Sequence, residues 1–264
     1  MGVASSRFAV FGVGSHLVGI PADRVKEMFV LPEIRVPPGI PAHQRGVARL
    51  RGSVLPAIDL RVCLGLTSSG VEVDAFVQLL VDREQDHRSW LGELEACVRE
   101  GRKFTLATDP RQCRFGKWYY GFKTDDPVLR MALDAFEQPH ADIHGLAQQA
   151  EALLAEGHAA QAQQLVERAR TGVLAELIGI FARTRTLVRE QRKEVGVTVQ
   201  LGGRDAALIV DRAEAVTEVE PLPEKDDPLR GGALESHLVE RMGRWKGSNA
   251  PVLLLSLEKV AALR

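Results

Sequence analysis

His87, Cys113, His140 and His144 are the residues of this sequence whose types and spacing point to chemistry. His140 and His144 stand i,i+4, so on a helix both rings project from one face about a turn apart. Ala141 follows His140, so the pair lacks the glutamate of a metalloprotease helix. His87 sits on the polar-to-apolar border of a helical pattern, beside Trp90 and one turn before Leu91. Cys113, one of three cysteines in the chain, lies in DPRQCRFGKWYYGF, residues 109–122. Three imidazoles and a thiolate suit Zn2+, which takes mixed nitrogen and sulfur ligands in a tetrahedral shell. Four protein ligands fill that shell and leave no position for an activated water, which favours a structural or sensory ion over a catalytic one.

Each residue also has an ordinary reading. A histidine on a helix face is often a satisfied core side chain, an i,i+4 pair arises by chance, and a lone cysteine is commonly a small buried hydrophobe. The rival chemistry is a zinc hydrolase using the three histidines, with water in the fourth position and Cys113 merely nearby. Phe115, Trp118, Tyr119, Tyr120 and Phe122, with Arg111, Arg114 and Lys117 among them, could stack single-stranded nucleic acid. The same rings could seal the end of a helical bundle, and the net acidic surroundings favour sealing. Asp59 and Asp211 each follow an apolar strand and read as turn or capping residues. GVGSH at 12–16 lacks the lysine and helix start of a phosphate loop. His158 reads as a helix cap or solvent-facing residue, and His16, His43 and His237 are assigned no role. With no nucleophile–base–acid constellation in the flanks, an enzyme is not expected.

The elements that must position these residues change character twice along the 264 residues. Residues 7–70 are short Val-, Ile- and Leu-rich runs broken by Gly and Pro, the pattern of strands and tight turns. They carry 8 basic and 4 acidic groups. From 71 to 194 the spacing becomes helical, with a stripe through Phe76, Leu79, Leu80, Trp90, Leu91, Leu94 and Val98. PVLRMALDAFEQ and HADIHGLAQQAEALLAE give two further helices, with Pro139 fitting the first turn of the second. The Ala-, Leu- and Arg-rich run from 158 predicts one long helix, weakened at Gly172 and Gly179. Strands return at 195 as VGVTVQLGG, RDAALIVDRAEAVTEVE and PVLLLSLEKVAAL, with Gly202–Gly203 marking a hairpin.

The simplest account is an insertion. Flanks of about 70 residues are each small for a core of their own, whereas joined they reach ordinary domain size. The expected division is 1–70 and 195–264 as one β domain, with 71–194 inserted; two separate β domains are the alternative. Antiparallel helices at the ends of the block would bring its entry and exit together, as insertion into a surface loop requires.

Net charge is −1, from 34 basic and 35 acidic residues, so no global pull toward nucleic acid or anionic lipid is implied. No apolar run reaches transmembrane length, and the Gly-rich start with His16 is a poor signal peptide. Gly2 with Ser5 and Ser6 gives only a faint acylation signal. Three widely spaced cysteines fit a reducing cytoplasm.

DHRSWL at 86–91, CRFGKWYYGF at 113–122 and PHADIH at 139–144 resemble the signature segments of the chemoreceptor zinc-binding (CZB) family. That resemblance implies a helical bundle holding one zinc through His87, Cys113, His140 and His144, a role in sensing zinc or oxidants such as hypochlorous acid, and a possible homodimer through the insert. GIPADRVKEM at 19–28, GVARLRGSVLPAIDLRVCLGL at 46–66 and AALIVDRAEAVTEVEPLP at 206–223 resemble a CheW domain. This second resemblance implies an α+β protein in which a CheW-like pair of small β-barrels is interrupted by the helical zinc-binding domain. It implies a cytoplasmic adaptor joining the chemoreceptor tip to the chemotaxis histidine kinase, with Arg51 and Glu27 at partner-binding positions. Two departures from the family stand out: the long helical insert, and the altered segment LRGGALESHLVERMGRWKGSNAPVLLLSLEKV near the C-terminus.

Overall fold

The computed structural model describes residues 6–191, 193–229, 237–247 and 250–263, so Gly2 and Ser5 and part of the altered C-terminal segment lie outside the described residues. The first flank forms β1 (Ser6–Val13), β2 (His16–Pro21), β3 (Val25–Val30), β4 (Ile34–Arg35), β5 (Gln44–Leu50), β6 (Ser53–Asp59) and the short helix α1 (Leu60–Cys63). Six helices follow: α2 (Ser69–Glu100), α3 (Arg114–Tyr119), α4 (Pro127–Asp134), α5 (Glu137–Ala155), α6 (Ala159–Thr171) and α7 (Val173–Glu190). The last flank forms β7 (Val195–Leu201), β8 (Arg204–Val210), β9 (Arg212–Pro221), β10 (Val239–Arg244), β11 (Val252–Leu255) and α8 (Leu257–Ala261). The chain divides into two compact units, Met1–Glu72 with Lys193–Arg264, and Val73–Arg192.

Both sheets of the β unit draw strands from both flanks. β1, β2, β11, β10 and β9 follow one another in a closed ring, whose β9–β10 seam is only two residue pairs wide, Gly243 with Pro221 and Arg244 with Glu220. The second sheet has the order β3-β7-β8-β6-β5-β4 and is open. The expected pair of small β-barrels therefore does not form. The reason is visible at one edge, where Pro32, Pro37, Pro38 and Pro41 flank Ile34–Arg35 and hold β4 to two residues. Proline offers no N–H to a ladder, so pairing stops there. At the other edge β3 alternates partly buried and exposed side chains, with Lys26 outward. Lys26 is the one charge among the exposed side chains of that edge, beside Met28 and Val30, and a lysine there discourages further pairing.

Three other expectations are revised by local chemistry. RDAALIVDRAEAVTEVE is two strands, because the chain leaves the open sheet for the ring at Asp211; β8 is buried along AALIV, as a central strand covered on both faces should be. The final run is a strand followed by a helix, started by Ser256 Oγ accepting the Lys259 N–H. The helix expected to run on from 158 breaks at Gly172, whose φ of −96° and ψ of −109° lie outside the helical range. The hairpin at Gly202–Gly203 is present, both glycines having positive φ as a tight β7–β8 turn demands. Asp59 caps α1 by accepting from the Arg61 and Val62 N–H groups.

The helical unit has its own core. Leu91 and Leu94 of α2, Ile143 and Ala147 of α5, Val166 of α6 and Leu177 and Phe181 of α7 belong to it. Phe115, Phe136 and Phe181, all fully buried, meet at its centre in tilted and edge-to-face contacts with centroids 5.1, 5.3 and 4.7 Å apart. Each such pair contributes about 0.5–1.5 kcal/mol beyond area burial. Among the described residues no helix is long and apolar enough to cross a membrane.

Candidate metal centre

α2 carries His87, and α5 carries His140 and His144 on successive turns of one face. Pro139 lies in the first turn of α5, where a missing N–H costs no helical bond. Cys113 is the N-cap of α3, its Sγ accepting the Gly116 N–H at 3.1 Å. One ligand atom from each of the four residues lies within 4.8 Å of all the others. The three imidazoles are 97–100% buried and Cys113 is half-buried.

The protons are arranged for a cation. His87 Nδ1 is 2.6 Å from the Arg83 carbonyl oxygen, and His144 Nδ1 is 3.1 Å from that of Ala107. A carbonyl only accepts, so Nδ1 carries the proton in both rings and Nε2 keeps its lone pair. Among the described residues both Nε2 atoms, and Nδ1 of His140, are buried without a hydrogen-bond partner. His140 presents Nε2 to the cluster, 3.2 Å from Cys113 Sγ. Buried polar atoms without partners are costly and ask for an explanation. Two free ring nitrogens, the His140 imidazole and a sulfur brought within 4.8 Å of one another have a simple one, a site able to take a cation. The donor set fits Zn2+, and carbonyls fixing the outer ring nitrogens are the usual support of a metal-ligating histidine.

Burial sets the titration of the cluster. It lowers the His87 pKa, pushes His140 down to about 3 with help from His87 and His144, and pushes His144 down to about 4 with help from His87. All three rings are thus neutral at pH 7, as ligands must be. Burial raises the Cys113 thiol, against the N–H groups of Gly116 and Phe115, which lower it. A divalent cation reverses that balance and deprotonates a coordinating thiol. A cleft of about 410 Å³ lined by Asp86, His87, Ala107, Cys113, Arg114 and His144 reaches the cluster from solvent.

Two supporting features escape a reading by residue type. The Ala107 carbonyl accepts from the Trp90 indole at 2.8 Å as well as from His144, so Trp90 pins the loop that orients the histidine. Gly116 is required because a Cβ there would lie 1.8 Å from the Pro110 carbonyl oxygen. Trp90 sits within DHRSWL and Gly116 within CRFGKW, but neither is a ligand type. The aromatic segment serves the core: Phe115 is fully buried, and Trp118, Tyr119 and Phe122 pack against the same cluster. Tyr120 lies under the Arg111 guanidinium, 4.6 Å from the ring centroid. His158 is the N-cap residue of α6, without a side-chain capping bond.

In the β unit, Glu27 on β3 and Arg51 in the β5–β6 turn are brought together, with Arg51 Nη2 3.3 Å from Glu27 Oε2. Arg51 has φ of 47° and Gly52 of 87°, so the turn places a non-glycine residue in the left-handed region. That conformation costs an ordinary residue about 1–2 kcal/mol.

Fold and site together define a β unit closed from both flanks and a separate helical unit with a three-histidine, one-cysteine cluster. Residues 7–88 match the CheW-like domain family, and residues 87–151 match the chemoreceptor zinc-binding domain family. The chain carries a CheW-like domain with an inserted CZB domain, which are adaptor and sensor modules rather than catalysts. Among solved structures it is similar to the scaffolding protein TtCheW from Thermoanaerobacter tengcongensis, at 14% identity over 96% of this chain and 90% of that one, with a TM-score of 0.41. No curated protein matches it in sequence.

Proposed function

We propose that this is a cytoplasmic chemotaxis adaptor whose insert, residues 71–194, binds one Zn2+ through His87, Cys113, His140 and His144. In this reading the CheW-like domain links a chemoreceptor tip to the chemotaxis histidine kinase, and Glu27 and Arg51 belong to a partner surface. The observation that carries the metal assignment is the convergence of four donor atoms within 4.8 Å, with the outer nitrogens of His87 and His144 already committed to carbonyls. Supporting the adaptor assignment are the two family matches.

Bound zinc would tie α2 to α5 and to the N-terminus of α3. Cys113 is the only thiol of the cluster and borders the solvent-reaching cleft, so it is the ligand open to oxidants. Hypochlorous acid would, in net terms, give its oxygen to the Sγ thiolate and release chloride and a proton, and the resulting sulfenate would hold a cation less well. The sequence of events is loss of one tie, loosening of α2 against α5, and a changed adaptor surface.

Metal analysis of untagged protein tests the site: one zinc per chain in the wild type, much reduced in Cys113→Ala. X-ray absorption should place one sulfur near about 2.3 Å from the ion. Full zinc occupancy in Cys113→Ala overturns the ligand set. Kinase and receptor binding measured with and without hypochlorous acid then separates a sensor from a structural staple, since only a sensor changes partner binding. A charge reversal, Arg51→Glu, is expected to weaken capture of a partner, and unchanged capture removes Arg51 from the surface.

A further inference from the structure

The β unit holds both ends of the insert in a polar cluster that the metal assignment does not use. Ser69 Oγ, in the first turn of α2, donates to the Glu194 carboxylate, and Arg45 Nη1 on β5 donates to the same Oε1 at 2.5 Å. Arg45 also lies 3.6 Å from Asp59, whose side chain is 3% exposed. The Glu194 backbone carbonyl accepts the Leu31 N–H, just beyond β3. Nearby, Arg61 joins Glu72 of α2, the Thr67 carbonyl and Asp211, and Asp211 accepts the Gly14 N–H at 2.6 Å. All of these residues belong to the β unit by its own boundaries.

Two arginines thus meet the chain where it leaves for the insert and where it returns. The Glu194 side chain is 10% exposed and that of Arg45 is 22% exposed. Charge-assisted pairs shielded from solvent in this way are stronger than surface ion pairs, which salt and water screen. Arg45 is the second residue of β5, and the other end of that strand leads into the turn at Arg51. At the entry side, His87 lies five turns along the helix that starts with Ser69. Along the chain, α2 leads from Ser69 to His87 and β5 leads from Arg45 to the Arg51 turn, and the Ser69–Glu194–Arg45 cluster joins the starts of the two elements.

We propose that Ser69, Glu194 and Arg45 form the joint through which the metal state of the insert reaches the β5–β6 hairpin. This rests on the reading of the insert as zinc-responsive. A helix displaced by loss of a ligand moves Ser69; the shared carboxylate passes that to Arg45, and β5 carries it to the turn. Arg61 and Asp211 anchor the start of α2 to the corner between the sheets, so displacement has a fixed point against which to act.

The test is hydrogen exchange on the full chain, with Zn2+ and with a chelator, in wild type, Ser69→Ala and Glu194→Gln. In the wild type, removing zinc is expected to raise exchange about fivefold or more both in α5 and in residues 49–54, the lower end of coupling between linked sites. In the variants α5 should respond as before while residues 49–54 respond less than about twofold. Ser69→Ala removes one hydroxyl and leaves the Arg45–Glu194 pair, so a fold failure in Glu194→Gln still leaves a decisive arm. An α5 response without any hairpin response in wild type overturns the joint while sparing the metal site. An undiminished hairpin response in both variants overturns it too. No response of α5 to zinc overturns the metal reading itself.

Discussion

Replacing Gly116 by alanine should disable the metal centre without removing a ligand. The added Cβ would sit 1.8 Å from the Pro110 carbonyl oxygen and 2.9 Å from its carbon, whereas real Cβ contacts essentially never fall below 3.0 Å. The obstacle is backbone and cannot swing aside, so loop and helix must part by more than about 1 Å. Overpacking of this kind costs about 1–3 kcal/mol. The damage lands on Cys113, because Gly116 donates its N–H to Sγ and Pro110 O lies 3.4 Å from the same sulfur. Metal–ligand distances tolerate only about 0.2 Å. A loss of about 10- to 100-fold in zinc affinity is expected, the range seen when a supporting group is removed.

Competition with a chromophoric chelator measures the affinity, and a denaturant melt in excess chelator measures the fold separately. Gly92→Ala is the matched control: it lies inside α2, exposed, with nothing within 4 Å of its Cβ position. It should stabilise the zinc-free protein by about 0.8–1 kcal/mol and leave zinc affinity alone. If Gly116→Ala binds zinc within twofold of wild type, the loop does not set the position of the thiolate and the argument fails.

Phe115→Ala removes a fully buried ring that also lies 4.8 Å from the His140 ring, and should cost about 3–5 kcal/mol in a denaturant melt. Acid should weaken the zinc-free protein: His140 and His144 are held at about 3 and about 4, below their ordinary 6.5, so the unfolded chain binds protons that the folded one refuses. Their contribution is whole above about pH 6.5 and drains away as pH falls toward 4 and then 3; melts in chelator between pH 7.5 and 4 that show a flat stability would contradict this. Arg51→Gly relieves a left-handed arginine and loses an ion pair whose arginine is 82% exposed, so stability should hold or rise by about 1 kcal/mol while partner capture falls. A marked drop in the melting temperature would mean that the pair supports the fold after all.

How much of this was legible depended on whether a feature lives in residue type or in spatial arrangement. Histidine and cysteine announce metal chemistry, and the i,i+4 spacing of His140 and His144 survives any uncertainty in helix ends. The Gly202–Gly203 hairpin was readable for the same reason, since only glycine sits easily at two positive φ values in succession. The open sheet was not readable. Strand length at its edge is set by four prolines around Ile34–Arg35, and closure depends on where edges meet in space. Asp211 reads in sequence as the turn residue closing an apolar strand, as it is, but only the fold reveals that the next strand lies in the other sheet. Ser69, Glu194 and Arg45 are ordinary polar residues far apart in the chain, and nothing in a linear reading joins them.

The placement of strain sharpens the functional argument. A left-handed arginine at the tip of a two-residue hairpin is an avoidable cost, because glycine at that position would remove it. Among the described residues its side chain pairs with Glu27 alone, and an exposed pair of this kind contributes at most about 1 kcal/mol. The fold therefore gains little from Arg51, which supports the proposed placement of this side chain on a partner surface. The opposite holds at Gly116, where the backbone dictates the residue and the beneficiary is a ligand inside the protein. In the proposed function one position answers to what the β unit meets and the other to what the helical unit binds, and an adaptor that reports on a metal would need both.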